Sequence, residues 1–430
     1  MLDFKKVREN IICKKESLYL DFTASGLAYK TVEDKIQKIL LTYANTHSEH
    51  GEHAQNTSKF YEEARDNLYS FLEVDRKNFY ILPAGTGATG AIKKFQEITG
   101  LYVPPASISR LKSLELKCQK PLVLVGPYEH HSNEISYRES LCEVVRVPLK
   151  DGEICFEFMT GVLKKNEGRE MYGSFSVTSN VTGVLTPVEK ISRILKDHGA
   201  FVCFDSATFS PYGNIDNTLY DALFLSPHKL IGGVGSCGLL VINKKFFHNY
   251  STPTFCGGGT VDYVSDDYQI YKKDIEESEN AGTPGILQLV RASEAYGLRN
   301  SLGLENIKKR EDELKEYFFE KTQRLEGFVL YEKQNRERLP VFAFNIEGIG
   351  HHEISKALSD VFNIQTRSGC SCTGPYGHYL LGVEQKKEGY DESVKLGWVR
   401  VGFSYIHTTK DIDYFVESIK KIVKDLRCSK

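Results

Sequence analysis

Ala84-Gly85-Thr86-Gly87-Ala88-Thr89-Gly90 follows an apolar run and opens a segment of helical character. Glycines let a backbone approach an anion, and a helix start supplies free amides and the positive end of a dipole. The segment lacks the Lys-Ser/Thr pair of a P-loop, which argues against a nucleoside triphosphate. Phe204-Asp205-Ser206-Ala207 puts an acid at the end of an apolar run, where a lone Asp is commonly a turn or cap residue. Ser226-Pro227-His228-Lys229, followed by Gly232-Gly233-Val234-Gly235, puts a lysine after another such run. A lysine there is costly unless paired or neutral, and burial lowers its pKa, which is what a nucleophilic amine needs. Alone, a snorkelling surface lysine is the plainer reading. In this order, a phosphate cradle, an acid and a strand-end lysine are the set that pyridoxal phosphate requires. Lys229 would form the Schiff base, and Asp205 would keep the pyridine nitrogen protonated so that the ring acts as an electron sink.

A fourth segment, Arg367-Ser368-Gly369-Cys370-Ser371-Cys372, joins a guanidinium to two thiols. With His378 these thiols also make three ligands of a metal site, and a disulfide between cysteines so close in sequence would be strained. His47, His50 and His53 fit an active-site wall, solvent or a metal.

The elements that must position these residues read as strand and helix in alternation from about Asn78 to Asn243. The strand candidates are Asn78–Leu82, Pro121–Val125, Cys142–Pro148, Tyr172–Thr178, Phe201–Asp205, Ala222–Leu225 and Cys237–Asn243, with helical segments such as Val188–His198 between them. That alternation predicts an α/β fold with a mostly parallel sheet covered on both faces, and functional residues at the carboxyl ends of its strands. After about Thr283 the texture changes. Ile286, Leu289 and Val290 begin one amphipathic helix, and Leu304, Ile307, Leu314, Phe318 and Leu325 mark a longer one. Strand-like runs follow at Val341–Asn345, Ile364–Thr366 and Val399–Tyr405, and a last helix carries Ile412, Phe415, Val416, Ile419, Val423 and Leu426 on one face. Thr408 and Asp411 have capping-box spacing at its start. The expected division is an N-terminal segment (1–20) packing on a small domain, a large domain (21–285), and a smaller α+β domain (286–430). Tyr102–Lys120, polar with Pro and Ser, reads as a surface excursion.

With 55 basic and 57 acidic residues among 430, the chain lacks the basic footprint of a nucleic-acid binder. It has no apolar run of membrane-spanning length and no signal-peptide pattern, so a cytoplasmic location is expected. Ten cysteines are too sparse for a disulfide scaffold in a chain this long.

These motifs resemble the class V aminotransferase family of fold type I pyridoxal-phosphate enzymes, and within it the cysteine desulfurases and selenocysteine lyases. Matches run from Tyr19-Leu20-Asp21 to Val399-Arg400-Val401. The resemblance implies that Gly85, Thr86, Gly87, Ala88 and Thr89 hold the phosphate, aided by Ser226 and His228. It implies that His130, in Glu129-His130-His131-Ser132-Asn133, stacks on the ring, that Asn180 lies near the ring hydroxyl, and that Asp205 and Ala207 lie beside the ring. Gly257-Gly258-Gly259-Thr260 resembles the segment that reaches a partner subunit's phosphate, implying a homodimer with shared sites. Ala281-Gly282-Thr283-Pro284 resembles the hinge into the small domain. Cys372 matches the cysteine that takes sulfur from L-cysteine as a persulfide, releasing alanine, and the persulfide's outer sulfur would go on to a sulfur-acceptor protein. Arg400 would clamp the substrate carboxylate, with Arg367 favouring the thiolate or helping to hold the substrate. Two departures stand out: Thr208 occupies the place of a family glutamine, and Cys370 accompanies Cys372. Rival readings keep the cofactor but run transamination, epimerisation, or selenocysteine or cysteine sulfinate cleavage with Cys372 a bystander. A non-catalytic sulfur carrier or scaffold is a third.

Overall fold

The computed structural model describes residues 3–14, 16–46, 48, 50–107, 119–383 and 397–428. His47 and most of the expected 102–120 excursion lie outside them. Helix α1 (Glu52–Phe71) precedes the central sheet, whose strands are β1 (Phe79–Ala84), β2 (Leu122–Val125), β3 (Glu143–Arg146), β4 (Met171–Ser176), β5 (Phe201–Asp205), β6 (Ala222–Leu225) and β7 (Gly238–Asn243). Helix α2 (Gly87–Ile98) follows β1 directly. The spatial order of the seven strands is β1-β7-β6-β5-β4-β2-β3, all parallel except β7, which runs antiparallel to both its neighbours. Each strand falls on an expected strand run, and the central ones, buried on both faces, carry near-continuous hydrophobic sequence, whereas the edge strand β3 is only partly buried. The Leu-Val-Leu-Val of β2 and the Ala-Leu-Phe-Leu of β6 are buried at every position.

The chain continues through α3 (Ile286–Leu302) and α4 (Leu304–Thr322) to a second sheet. Its strands are β8 (Phe328–Leu330), β9 (Val341–Ile346), β10 (Arg367–Gly369) and β11 (Trp398–Gly402), in the antiparallel order β8-β9-β11-β10. Helices α5 (Gly374–Leu381) and α6 (Thr409–Cys428) complete this part. Phe342, Phe344, Val399 and Val401 face Phe318, Phe415 and Ile419 across its core.

Three local expectations change. Ile364–Gln365 stands outside the four-stranded sheet and pairs in parallel with Leu18–Tyr19 near the N-terminus. Arg367–Gly369, not among the expected strand-like runs, is a strand whose register puts Arg367 opposite Arg400. At the start of α6 only half a capping box forms. The Asp411 carboxylate accepts from the Thr408 amide at 2.7 Å, but the Thr408 hydroxyl donates to that same carboxylate rather than capping a helix amide. Arg8 grips Asp411 through both guanidinium nitrogens, tying the N-terminal helix there.

Glu311 on α4 is buried at 4% exposure beside Tyr212 and Tyr405. Burial first, then the neighbouring Asp312, raises its pKa well above the carboxylate range, against the Tyr405 backbone, Arg310 and Lys315. A carboxyl whose pKa is raised by folding contributes fully below its unfolded pKa and costs stability as pH climbs toward the folded value. Glu311→Gln is therefore expected to stabilise the fold at pH 8 relative to wild type, by on the order of 1 kcal/mol, with the difference vanishing near pH 4. Urea unfolding at the two pH values measures it.

Candidate active site

A cavity of about 170 Å³ lies at the carboxyl ends of the central strands. Of the residues singled out in the sequence it gathers Thr86, Gly87, Ala88, Thr89, His130, Asn180, Asp205, Ala207, Ser226, His228, Lys229, Arg367 and Arg400. Gly85, Cys372 and Thr260 do not line it. Thr208, which stands in the place of the family glutamine, also faces it, as do Thr23, Ala24, Ser132, Ser176, Thr178 and Ser371, which were not anticipated as site residues.

The cradle is built as a strand-to-helix turn. Thr86 caps α2 and Gly87 is its first residue, with φ of +56°. A Cβ at Gly87 would lie 2.6 Å from the His228 ring and 2.9 Å from the Ser226 hydroxyl, so glycine is required by both conformation and space. The Ala88 amide donates to Ser226 Oγ at 2.8 Å, and the Thr89 and Ser132 hydroxyls pair at 2.7 Å. The turn thus presents amide and hydroxyl groups at the positive end of a helix, suited to a phosphate.

Asp205 ends β5 and is 6% exposed. Its carboxylate accepts one hydrogen bond, from the Ala207 amide at 2.9 Å. Burial raises its pKa, opposed by that bond and by Lys229. A buried carboxylate with acceptor capacity to spare fits a cationic N–H such as a pyridinium. Lys229 closes the short turn Pro227–Lys229 after β6. Its ammonium donates to Thr208 Oγ1 at 3.2 Å, and burial brings its pKa down to about 8, with Asp205 opposing and Arg400 and Arg367 assisting. An appreciable fraction of free amine near neutral pH follows. His130 is held near pKa 4 by burial and by Lys229, hence neutral, and its Nδ1 accepts from the Ser132 amide.

Arg400 on β11 is 2% exposed. Its guanidinium donates to the Asn180 carbonyl at 2.9 Å and to Asp21 at 2.6 Å, while Nε has no partner among the described residues. Asp21 was not offered by the sequence as a site residue, because its partner lies 379 positions away. Arg367 has no carboxylate partner among the described residues, and one of its nitrogens lies 3.9 Å from Cys372 Sγ.

Cys372 sits in a tight turn closed by the Thr373 amide on the Cys370 carbonyl. Ser371 and Cys372 both adopt left-handed backbone, φ +55° and +58°, where glycine or asparagine is usual. Asn180 spends its amide on this turn, donating to the Ser371 carbonyl at 2.8 Å and accepting from Thr373 Oγ1 at 2.9 Å. From the other side the His131 amide donates to the Cys372 carbonyl at 2.9 Å, and its Nε2 accepts from the Gly374 amide at 2.9 Å. Ser371 Oγ, buried against the cavity, has no partner among the described residues.

Thr260 lies apart, fully buried, its hydroxyl donating to the Gly257 carbonyl at 2.7 Å. The hairpin after it, Val261–Val264 with Gln269–Tyr271, exposes Tyr263, Val264, Tyr268 and Ile270. Among the described residues no group of three or more His, Cys, Asp or Glu is placed to hold a metal ion, and none of their helices is long and apolar enough to cross a membrane.

The chain is 27% identical over 413 residues to a probable cysteine desulfurase of Halalkalibacterium halodurans, covering 94% of this chain and 92% of that one. It is 27% identical over 442 residues to a probable cysteine desulfurase of Pyrococcus abyssi, covering 98% of each. The fold superposes on the apo cysteine desulfurase of Thermococcus onnurineus with a TM-score of 0.82, at 23% identity and 99% coverage of both chains. The sequence pattern of the aminotransferase class-V family matches residues 106–415, and the chain belongs to that family.

Proposed function

We propose that the protein is a pyridoxal-phosphate enzyme that removes sulfur from L-cysteine, releasing alanine and leaving a persulfide on Cys372. The observation that carries the reading is the convergence on one cavity of a glycine-required anion cradle, an under-satisfied buried carboxylate at Asp205 and a depressed lysine at Lys229. Relatives named as cysteine desulfurases over nearly the whole chain narrow the reaction.

When bound, the cofactor supplies an electron sink for the substrate's α-carbon. The amides at Gly87 and Thr89, with Ser226 (held by the Ala88 amide) and His228, would hold its phosphate, and Asp205 would keep its ring nitrogen protonated. Lys229 attaches it and, as a free amine, takes and returns a proton at the substrate's α-carbon. His130, neutral, covers the ring. Arg400 orients the substrate carboxylate with the donors that Asp21 and Asn180 leave free. Cys372, beside Arg367, takes the sulfur. Thr208 stands against Lys229 rather than reaching further, as a longer side chain would.

The enzyme acts in this reading as a cytosolic homodimer with two domains meeting near 285. The apolar hairpin that follows Thr260, with Phe255 nearby, is the surface that a second copy would cover. The outer sulfur of the persulfide then passes to a thiol of an acceptor protein, returning Cys372 to its thiolate.

Two measurements test the reading. Alanine release from L-cysteine with a reductant should be lost in Cys372→Ala, while the protein keeps its yellow colour. Alanine formation at wild-type rate by that variant would leave the cofactor but remove the desulfurase assignment. Lys229→Ala should lose the visible absorbance of lysine-bound pyridoxal phosphate, and wild-type protein that never turns yellow would sink the cofactor reading.

A further inference from the structure

We infer that His131 is a positioning residue for Cys372: its neutral imidazole and its own amide together anchor the turn that carries the thiol. The inference rests on the proposed role of Cys372 as sulfur acceptor. His131 does not line the cavity, so it cannot serve by touching cofactor or substrate. It holds the turn at two points instead. Its amide donates to the Cys372 carbonyl, and its Nε2 accepts from the Gly374 amide, each at 2.9 Å.

The anchoring opposes a defined cost. Two consecutive non-glycine residues in the left-handed region each carry backbone strain. Left alone, the turn would relax toward right-handed or extended backbone and carry Cys372 Sγ away from Arg367, which now lies 3.9 Å from it. The Asn180 bond holds Ser371 from the opposite side. His131 is the second clamp. It also joins the turn rigidly to its neighbour in sequence, His130, which does line the cavity.

An acceptor nitrogen facing an amide must be unprotonated, so the clamp works only with neutral imidazole. The charged groups that face His131 are Glu134, which favours its proton, and Arg138 and Arg146, which oppose it, with His130 alongside at 6.4 Å between ring centroids. Glu134 is itself engaged by Arg138 and Arg146. Burial and the two arginines lower the His131 pKa, so the clamp is intact at neutral pH and opens only on acidification below the ordinary histidine range.

The test compares His131→Ala and His131→Gln in the pyridoxal-phosphate-loaded protein. Gln places an acceptor oxygen at a reach similar to Nε2 and does not titrate. Amide exchange across 371–377 should quicken by about tenfold in His131→Ala, the loss of one hydrogen bond's worth of protection. kcat for alanine release should fall by about tenfold with KM little changed, because the nucleophile rather than the substrate is misplaced. His131→Gln should recover both to within about threefold, and its activity should persist at acid pH where wild type declines. Unchanged exchange in His131→Ala overturns the anchoring. Quickened exchange with unchanged kcat overturns the positioning role. If Cys372→Ala still forms alanine, it is the desulfurase reading that has failed, and amide exchange in His131→Ala still decides the clamp on its own.

Discussion

Three cations, Lys229, Arg367 and Arg400, converge on one cavity, and holding them there is the constraint that organises the rest. Two of them lie directly opposite each other on adjacent strands, a like-charge pairing that would by itself work against the small sheet. Asp21 relieves it. Its carboxylate sits 2.6 Å from Arg400, and it reaches that place because its chain forms a parallel bridge to Gly402 beside β11. Asp205 does the corresponding work for Lys229 at the end of β5, through space rather than through a bond. Neither acid fully neutralises its neighbour, and the surplus positive charge suits a site for a phosphate and a carboxylate.

The N-terminal stretch is therefore part of the site. Gly26 donates its amide to the His228 carbonyl at 2.8 Å, and any side chain there would collide with the Leu230 carbonyl, since a Cβ would lie 1.9 Å from its oxygen. Backbone on backbone, the segment closes over the turn that holds Lys229. It continues to Leu18–Tyr19, paired with Ile364–Gln365 just ahead of Arg367. One stretch of chain thus touches both the lysine turn and the arginine strand, fixing the distance between two groups that belong to different sheets.

The central sheet was legible because strands buried on both faces leave continuous apolar runs with turn residues between them. The cradle, Asp205 and Lys229 were legible for a related reason, each being an abrupt polar group at the end of such a run. β10 was not legible: Arg-Ser-Gly has no strand propensity, and only its pairing with the Trp-Val-Arg of β11 makes it extended. Asp21 was visible as a residue but not as a partner, since nothing local marks a contact spanning most of the chain. The pair His130 and His131 looked alike in sequence. The fold separates them, one ring lining the cavity and the other bonded to the backbone behind Cys372.

Asn180 shows how such a site economises on side chains. It was expected to face the ring of a cofactor, and it does line the cavity, yet its amide is committed at both ends to the turn of Cys372 and its carbonyl to Arg400. A single buried residue therefore couples the proposed nucleophile to the proposed carboxylate clamp. With His131 gripping the same turn from the opposite side, the left-handed pair Ser371 and Cys372 cannot relax without breaking bonds on two fronts. Strain at a functional turn persists only where the surroundings over-determine it. Here those surroundings are the loop after β4 and the loop after β2, so the position of the thiol is set by the large sheet even though the thiol follows a strand of the small one.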